Sequence, residues 1–130
     1  ILFLIGSFGA SAVLLYGTPG VPLAQPRNLM GGHILSAFTG VLMYGWIADP
    51  LYLSGALSVA TAIAVMHLTK TTHPPGGATA LIAVIGSERV HQLGFLYVLS
   101  PVALGALIML VVALIVNNLT SFRRYPVFWW

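Results

Sequence analysis

Charge is the scarcest commodity in this chain of 130 residues, and its placement limits what the chain can fold into. There are five basic and two acidic residues: Arg27, Asp49, Lys70, Glu88, Arg89, Arg123 and Arg124. None interrupts the stretches Ile1–Tyr16, Gly31–Ala48, Leu51–Leu68, His73–Gly86 or Leu93–Val116. About 18 helical residues span roughly 27 Å, close to the thickness of a bilayer's hydrocarbon core. Hydrophobic residues make up 58% of the chain and charged residues 5%. A soluble domain carries about 25% charged residues, so this composition excludes a soluble globular domain and a disordered chain. The absence of cysteine excludes a disulfide scaffold.

These features predict an all-α, polytopic transmembrane helical bundle with about five membrane segments. Strands in lipid would need a closed barrel, and the alternation for one is missing. Gly31–Ala48, Leu51–Leu68 and Leu93–Val116 are long enough to span. His73–Gly86 and Ile1–Tyr16 are short. Pro74-Pro75 breaks any helix arriving from Leu68, so a fresh short helix is expected near Pro74. Residue 1 already reads as the middle of an apolar run, which suggests a further helix upstream.

Crossing at each stretch places Arg27, Lys70, Arg123 and Arg124 on one side. Asp49, Glu88 and Arg89 fall on the other. The positive-inside rule then puts the C-terminus in the cytoplasm. Gly9-Ala10-Ser11-Ala12 resembles Gly77-Ala78-Thr79-Ala80, an offset of three spans. Such an offset reverses direction in the membrane and suggests a 3+3 inverted repeat lacking its first helix. On that reading residues 1–130 form a single transmembrane domain. The first repeat covers about 1–49, the second about 51–118, and 119–130 form a cytoplasmic tail. Gly/Ala-rich membrane helices also look alike by composition alone.

The start of the short helix carries the most chemistry. Helix N-termini offer unpaired N–H groups and partial positive charge. Gly76 and Gly77 would expose bare backbone there, and Thr79 adds a hydroxyl one turn in. Such a start suits a small anion. The repeat would supply an opposed start at Gly9, Ala10 and Ser11. A plain helix break with tight packing explains Pro74-Pro75-Gly76-Gly77 equally well. Gly40, Ala48, Gly55, Ala62, Gly105 and Ala113 suit close helix packing.

His73 abuts the break, and His33 follows Gly31-Gly32. Either could carry a proton or face an anion, since imidazole titrates near neutrality. A hydrogen-bonded histidine between helices is the plainer alternative. Arg27 and Asn28 sit at a mouth where they could attract or hold an anion. No His-x3-His pair and no thiol is present, so no metal site and no cofactor are expected. Paired carboxylates, nucleophile–base sets and phosphate loops are also missing, and an enzyme is not expected.

Four blocks, in order, resemble the HPP family of small integral membrane proteins. They are Gly6-Ser7-Phe8-Gly9-Ala10-Ser11-Ala12-Val13, Pro22-Leu23-Ala24-Gln25-Pro26-Arg27-Asn28 with Gly31-Gly32-His33, Thr72-His73-Pro74-Pro75-Gly76-Gly77-Ala78-Thr79-Ala80, and Arg124-Tyr125-Pro126-Val127-Phe128-Trp129-Trp130. The resemblance covers essentially the whole chain. It implies a bacterial inner-membrane or plastid protein with an apolar segment before the first block. It also implies nitrite transport, the activity associated with members in cyanobacteria and chloroplasts. Carried over by motif, the substrate-binding residues are His73, Gly76, Gly77, Thr79, Gly9, Ser11, Arg27, Asn28 and His33.

The expected function is therefore a transporter or channel for a small monovalent anion, with nitrite foremost. Its rival is a small structural or assembly subunit of a larger membrane complex. The expected partners are a small inorganic anion (nitrite), membrane lipid, and either further copies of the chain or a larger complex. Nucleic acid is not among them.

Overall fold

The computed structural model describes residues 4–130, so the first three positions of the 1–16 stretch lie outside the described residues. The described residues form six α-helices and no strand: α1 Gly6–Ala12, α2 Pro26–Trp46, α3 Leu51–Leu68, α4 Pro75–Ile85, α5 Glu88–Leu93 and α6 Leu104–Asn117. A wide turn at Val13–Gly17 extends α1, and a single tight turn at Pro22–Ala24 leads into α2.

Two segments are long and apolar enough to cross a membrane: α3, Leu51–Leu68, and Val98–Asn117, which takes in α6 and the kinked turn leading into it. The third expected span, residues 31–48, falls largely within α2, which has 21 residues and ends at Trp46 rather than Ala48. Its interior face carries Gly32, His33, Ser36, Thr39 and Gly40, all buried, which dilutes its apolar character. The helix also begins earlier than expected, at Pro26, where a proline fits the first turn.

The expected single helix over 93–116 is corrected by the structure. Gly94 ends α5 at φ 51, a left-handed conformation that glycine adopts without a Cβ penalty. Ser100 then leaves the helical region at φ −142 and ψ 120, immediately before Pro101. The residue before a proline is pushed towards extended backbone, so the break follows from the sequence Ser100-Pro101.

Helix α3 stops at Lys70, which adopts φ 57. Thr71 N–H donates to the Met66 carbonyl at 2.8 Å, and Lys70 N–H donates to the His67 carbonyl at 3.2 Å. This pair of bonds is a Schellman ending with lysine where glycine is usual. The turn sends the chain into Pro74 and α4.

Helix α2 packs chiefly against α4 and α3. Close approach rests on glycine: a Cβ on Gly40 would strike the Ala80 carbonyl, and one on Gly105 would strike the Phe8 ring. Ala62 and Ala113 are fully buried. Polar side chains are buried beside the apolar core, and many large apolar ones face outwards. Ser11, His33, Ser58, His73 and Thr79 are fully buried, while Leu57, Ile63, Leu107, Ile108 and Val111 are exposed. That pattern suits lipid outside and a satisfied polar interior.

Arg27, Lys70 and Arg123 lie at one end of the bundle, while Arg89 lies on α5 at the other. Arg27 donates to the Thr69 carbonyl at 2.7 Å, beside Lys70, and Arg123 donates to the Tyr16 carbonyl at 2.8 Å. The tail is latched there as well: Tyr125 OH donates to the Ala24 carbonyl at 2.7 Å, and Val127 N–H donates to Gln25 Oε1 at 2.8 Å. At the other end His91 stacks on Tyr44 at 4.0 Å and bonds the Val84 carbonyl at 2.9 Å.

Candidate functional site

Four of the nine residues singled out in the sequence meet at one buried point. Ser11 Oγ lies 2.7 Å from His33 Nε2 and 2.8 Å from His73 Nε2. His33 Nδ1 lies 2.7 Å from Thr79 Oγ1. His73 Nδ1 lies 2.7 Å from the Leu23 carbonyl. The row Thr79–His33–Ser11–His73 thus joins α4, α2, α1 and the segment before α4. The two rings meet edge to face, with centroids 4.9 Å apart, and Phe8 closes the outer side of His33 at 5.3 Å.

Local chemistry explains each placement. His33 is carried inwards by α2 because Gly32 allows the 71–73 segment to lie against that helix; a Cβ on Gly32 would meet His73 Cβ at 2.5 Å. Gly76 plays the matching part on α4, where a Cβ would lie 2.9 Å from the Gly32 carbonyl. His73 is fixed by the break that Pro74 and Pro75 enforce. Thr79 is one turn into α4, and Tyr97 OH holds that turn by donating to the Thr79 carbonyl at 3.1 Å.

Two participants were missed by sequence reasoning. Thr79 Oγ1 donates to Ser7 Oγ at 2.8 Å. Ser7 precedes Ser11 by four residues and so shares its helix face, a signal that was legible. Ser36 Oγ is fully buried and has no hydrogen-bond partner among the described residues. It follows His33 by three residues and faces Gly76, since a Cβ there would lie 2.7 Å from Ser36 Oγ. A buried hydroxyl without a partner is rare.

The remaining predicted residues lie around or away from this row. Asn28 Nδ2 donates to the Thr72 carbonyl at 2.8 Å and so steadies the residue before His73. Arg27 lies at the bundle end, where with Met30, Gly31, Thr71, Trp129 and Trp130 it lines an open groove of about 500 Å³. A Cβ on Gly77 would meet Val59 at an ordinary 3.7 Å, and Gly9 has open space where a Cβ would stand. The free backbone donors expected at Gly76 and Gly77 are engaged. Gly76 N–H donates to the His73 carbonyl at 2.8 Å and Gly77 N–H to the Pro74 carbonyl at 3.1 Å. The polar groups on offer are therefore side chains, because the tight turn through Pro74 consumes the amides.

Chain direction reverses across the site. Ser7 meets Thr79 while Ser11 meets His73, so α1 and α4 run in opposite senses past each other. The residues aligned in the sequence repeat, Ser11 and Thr79, approach the two nitrogens of the same imidazole. A groove of about 380 Å³ lined by Ala10, Leu14, Pro74, Pro75 and Ala78 lies against the chain neighbours of Ser11 and His73. His67 and His91 stand apart from the pair: His67 is exposed and His91 is held at the far end by Tyr44 and Val84.

The HPP transmembrane region model matches residues 1–126. The chain is 53% identical over 132 residues to a transmembrane protein of Dictyostelium discoideum, covering 99% of this chain and 42% of that protein. A second transmembrane protein of the same organism is 48% identical over 130 residues, covering 98% of this chain and 45% of its own length. The chain spans less than half the length of these curated relatives. No solved structure matches it. A family match over nearly every residue, together with a polar interior inside an apolar exterior, makes this an integral membrane protein, and the chain belongs to the HPP transmembrane family.

Proposed function

We propose that this chain forms a membrane transporter or channel for a small monovalent anion, with nitrite as the leading substrate. The observation that carries the reading is the convergence of Ser11, His33, His73 and Thr79, from four separate parts of the chain, into one buried row. No Asp, Glu, Lys or Arg touches that row among the described residues. A polar cluster at membrane depth is costly and is a functional site by default. One built from hydroxyls and imidazoles, without a carboxylate, suits a small anion better than a cation.

Arg27 at the open groove would draw anions towards Gly31 and Thr71, each two residues before a histidine of the row. Ser36, with its unpartnered hydroxyl, is the reserve donor beside α4. In this reading the anion is held by side chains, and Gly76 and Gly77 serve close packing. The antiparallel passage of α1 and α4 supports an inverted repeat over about 1–49 and 51–118. Opposed half-helices at mid-depth are the usual place for a transporter site. The gathering of Arg27, Lys70 and Arg123 at one end supports a cytoplasmic C-terminus.

The test is uptake of nitrite into proteoliposomes holding the full-length protein, with nitrate, formate and chloride as competitors. The reading expects saturable uptake that Thr79→Val and His73→Ala abolish. Folded protein that moves no small anion contradicts it and favours an assembly role in a larger membrane complex.

A further inference from the structure

Counting hydrogens along the buried row exposes a deficit of one. A carbonyl only accepts, so His73 Nδ1, 2.7 Å from the Leu23 carbonyl, carries a hydrogen. Thr79 Oγ1 gives its single hydrogen to Ser7 Oγ at 2.8 Å, with the Pro75 carbonyl as the other acceptor at 3.3 Å. His33 Nδ1 must then donate to Thr79 across 2.7 Å. A neutral imidazole carries one hydrogen, so both Nε2 atoms are left as lone pairs. Both point at Ser11 Oγ, at 2.7 and 2.8 Å, and that hydroxyl has one hydrogen to give. Two acceptors share one donor, and one of these short contacts is lone pair against lone pair.

We infer that His33, Ser11 and His73 form a site for one proton, bound together with the anion. A proton taken from the aqueous phase adds to Nε2 of one ring, which then donates to Ser11. Ser11 donates in turn to the other ring, and every group in the row is satisfied. One imidazolium is formed and no bond is broken elsewhere. The polar groups that meet the pair are Ser11 from α1, Thr79 from α4 and the Leu23 carbonyl, with Ser7 behind Thr79, and none of them carries charge. An imidazolium in that setting lacks a counter-charge, and an anion supplies it. Proton and anion therefore raise each other's affinity, reciprocally and by the same factor. The inference rests on the anion reading above and adds that the species carried is the anion plus one proton.

The experiment is ¹⁵N-histidine NMR of the full-length protein in lipid bilayers, with His67→Gln to simplify the spectrum and nitrite as the probe. The expected result is one imidazolium within the His33–His73 pair when nitrite is bound. Apparent nitrite affinity should rise by about tenfold per unit fall in pH, the limit for one linked proton. Ser11→Ala should abolish this dependence even where the variant still folds by thermal melting. Two neutral rings at every pH, with His33 carrying its hydrogen on Nε2, would overturn the inference, because Thr79 would then be the donor to His33. Two imidazolium rings would overturn it as well. Nitrite uptake that is flat with pH refutes the coupling and leaves anion transport standing. One imidazolium in protein that moves no nitrite supports the proton site and refutes the transport reading.

Discussion

His33 and His73 present their Nε2 atoms to the same hydroxyl, Ser11 Oγ, at 2.7 and 2.8 Å. The three residues lie far apart in sequence, and the contact ties three segments that no local interaction joins. A buried row of this kind rigidifies its surroundings when satisfied and weakens them when one member is lost.

Ser11→Ala removes the shared partner and leaves two buried ring nitrogens facing each other. The variant should lose about 1–3 kcal/mol of stability, the cost of unsatisfied buried polar groups. Thermal melting in a fixed detergent measures this. Ser11→Thr, which keeps the hydroxyl, should recover most of the loss if the added methyl is accommodated.

Ser36 separates a binding role from a structural one. Its hydroxyl has no partner among the described residues, so Ser36→Ala should leave stability within about 0.5 kcal/mol of the parent. Under the anion reading the same change should weaken nitrite uptake. Melting and uptake measured on one preparation give both answers.

Glycine substitutions should split sharply. Gly40→Ala forces a methyl into the Ala80 carbonyl and should cost about 1–3 kcal/mol, as overpacking does. Gly77→Ala meets only Val59 at 3.7 Å and should be tolerated or mildly stabilising, since alanine favours helix. Paired melting curves test the contrast.

Lys70 holds φ 57, a conformation that costs a non-glycine residue about 1–2 kcal/mol. Lys70→Gly should raise the melting temperature, whereas Lys70→Val should lower it. Both substitutions remove the same charge, so the difference between them is not an effect of charge.

The tail latch has a pH signature. Burial, with a smaller contribution from Tyr16, pushes the Tyr125 phenol up from its ordinary value of 10.0. A group whose folded value is raised keeps its contribution below the unfolded value and loses it as pH climbs towards the folded one. The latch to the Ala24 carbonyl should therefore hold through neutrality and loosen only above about pH 10. Tyr125→Phe should free the tail at neutral pH. Amide exchange at Val127, which donates to Gln25, follows either change.

Much of the helical layout was legible because charge and proline mark its ends. Leu51–Leu68 has the boundaries that Asp49-Pro50 and Lys70 suggest, and α4 begins at Pro75 as Pro74-Pro75 requires. The break at Ser100 was missed because the apolar run from Leu93 to Val116 hides a single proline among strong helix formers. The site was legible as residue types but not as a set. Ser11 and His73 are 62 positions apart, and no spacing rule links a short helix to a loop at that distance. The backbone anion cradle expected at Gly76 and Gly77 gave way to a tight turn, whose carbonyls outcompete a ligand for nearby amides.

A transport site at the buried row stands or falls on nitrite uptake by full-length protein in proteoliposomes, comparing the parent with Thr79→Val, Thr79→Ser and His73→Ala. Uptake should be saturable in the parent, retained in Thr79→Ser, which keeps the hydroxyl facing His33, and lost in the other two. Equal uptake in all four, or no anion movement by folded parent protein, would contradict a transport site at the Ser11–His33–His73–Thr79 row.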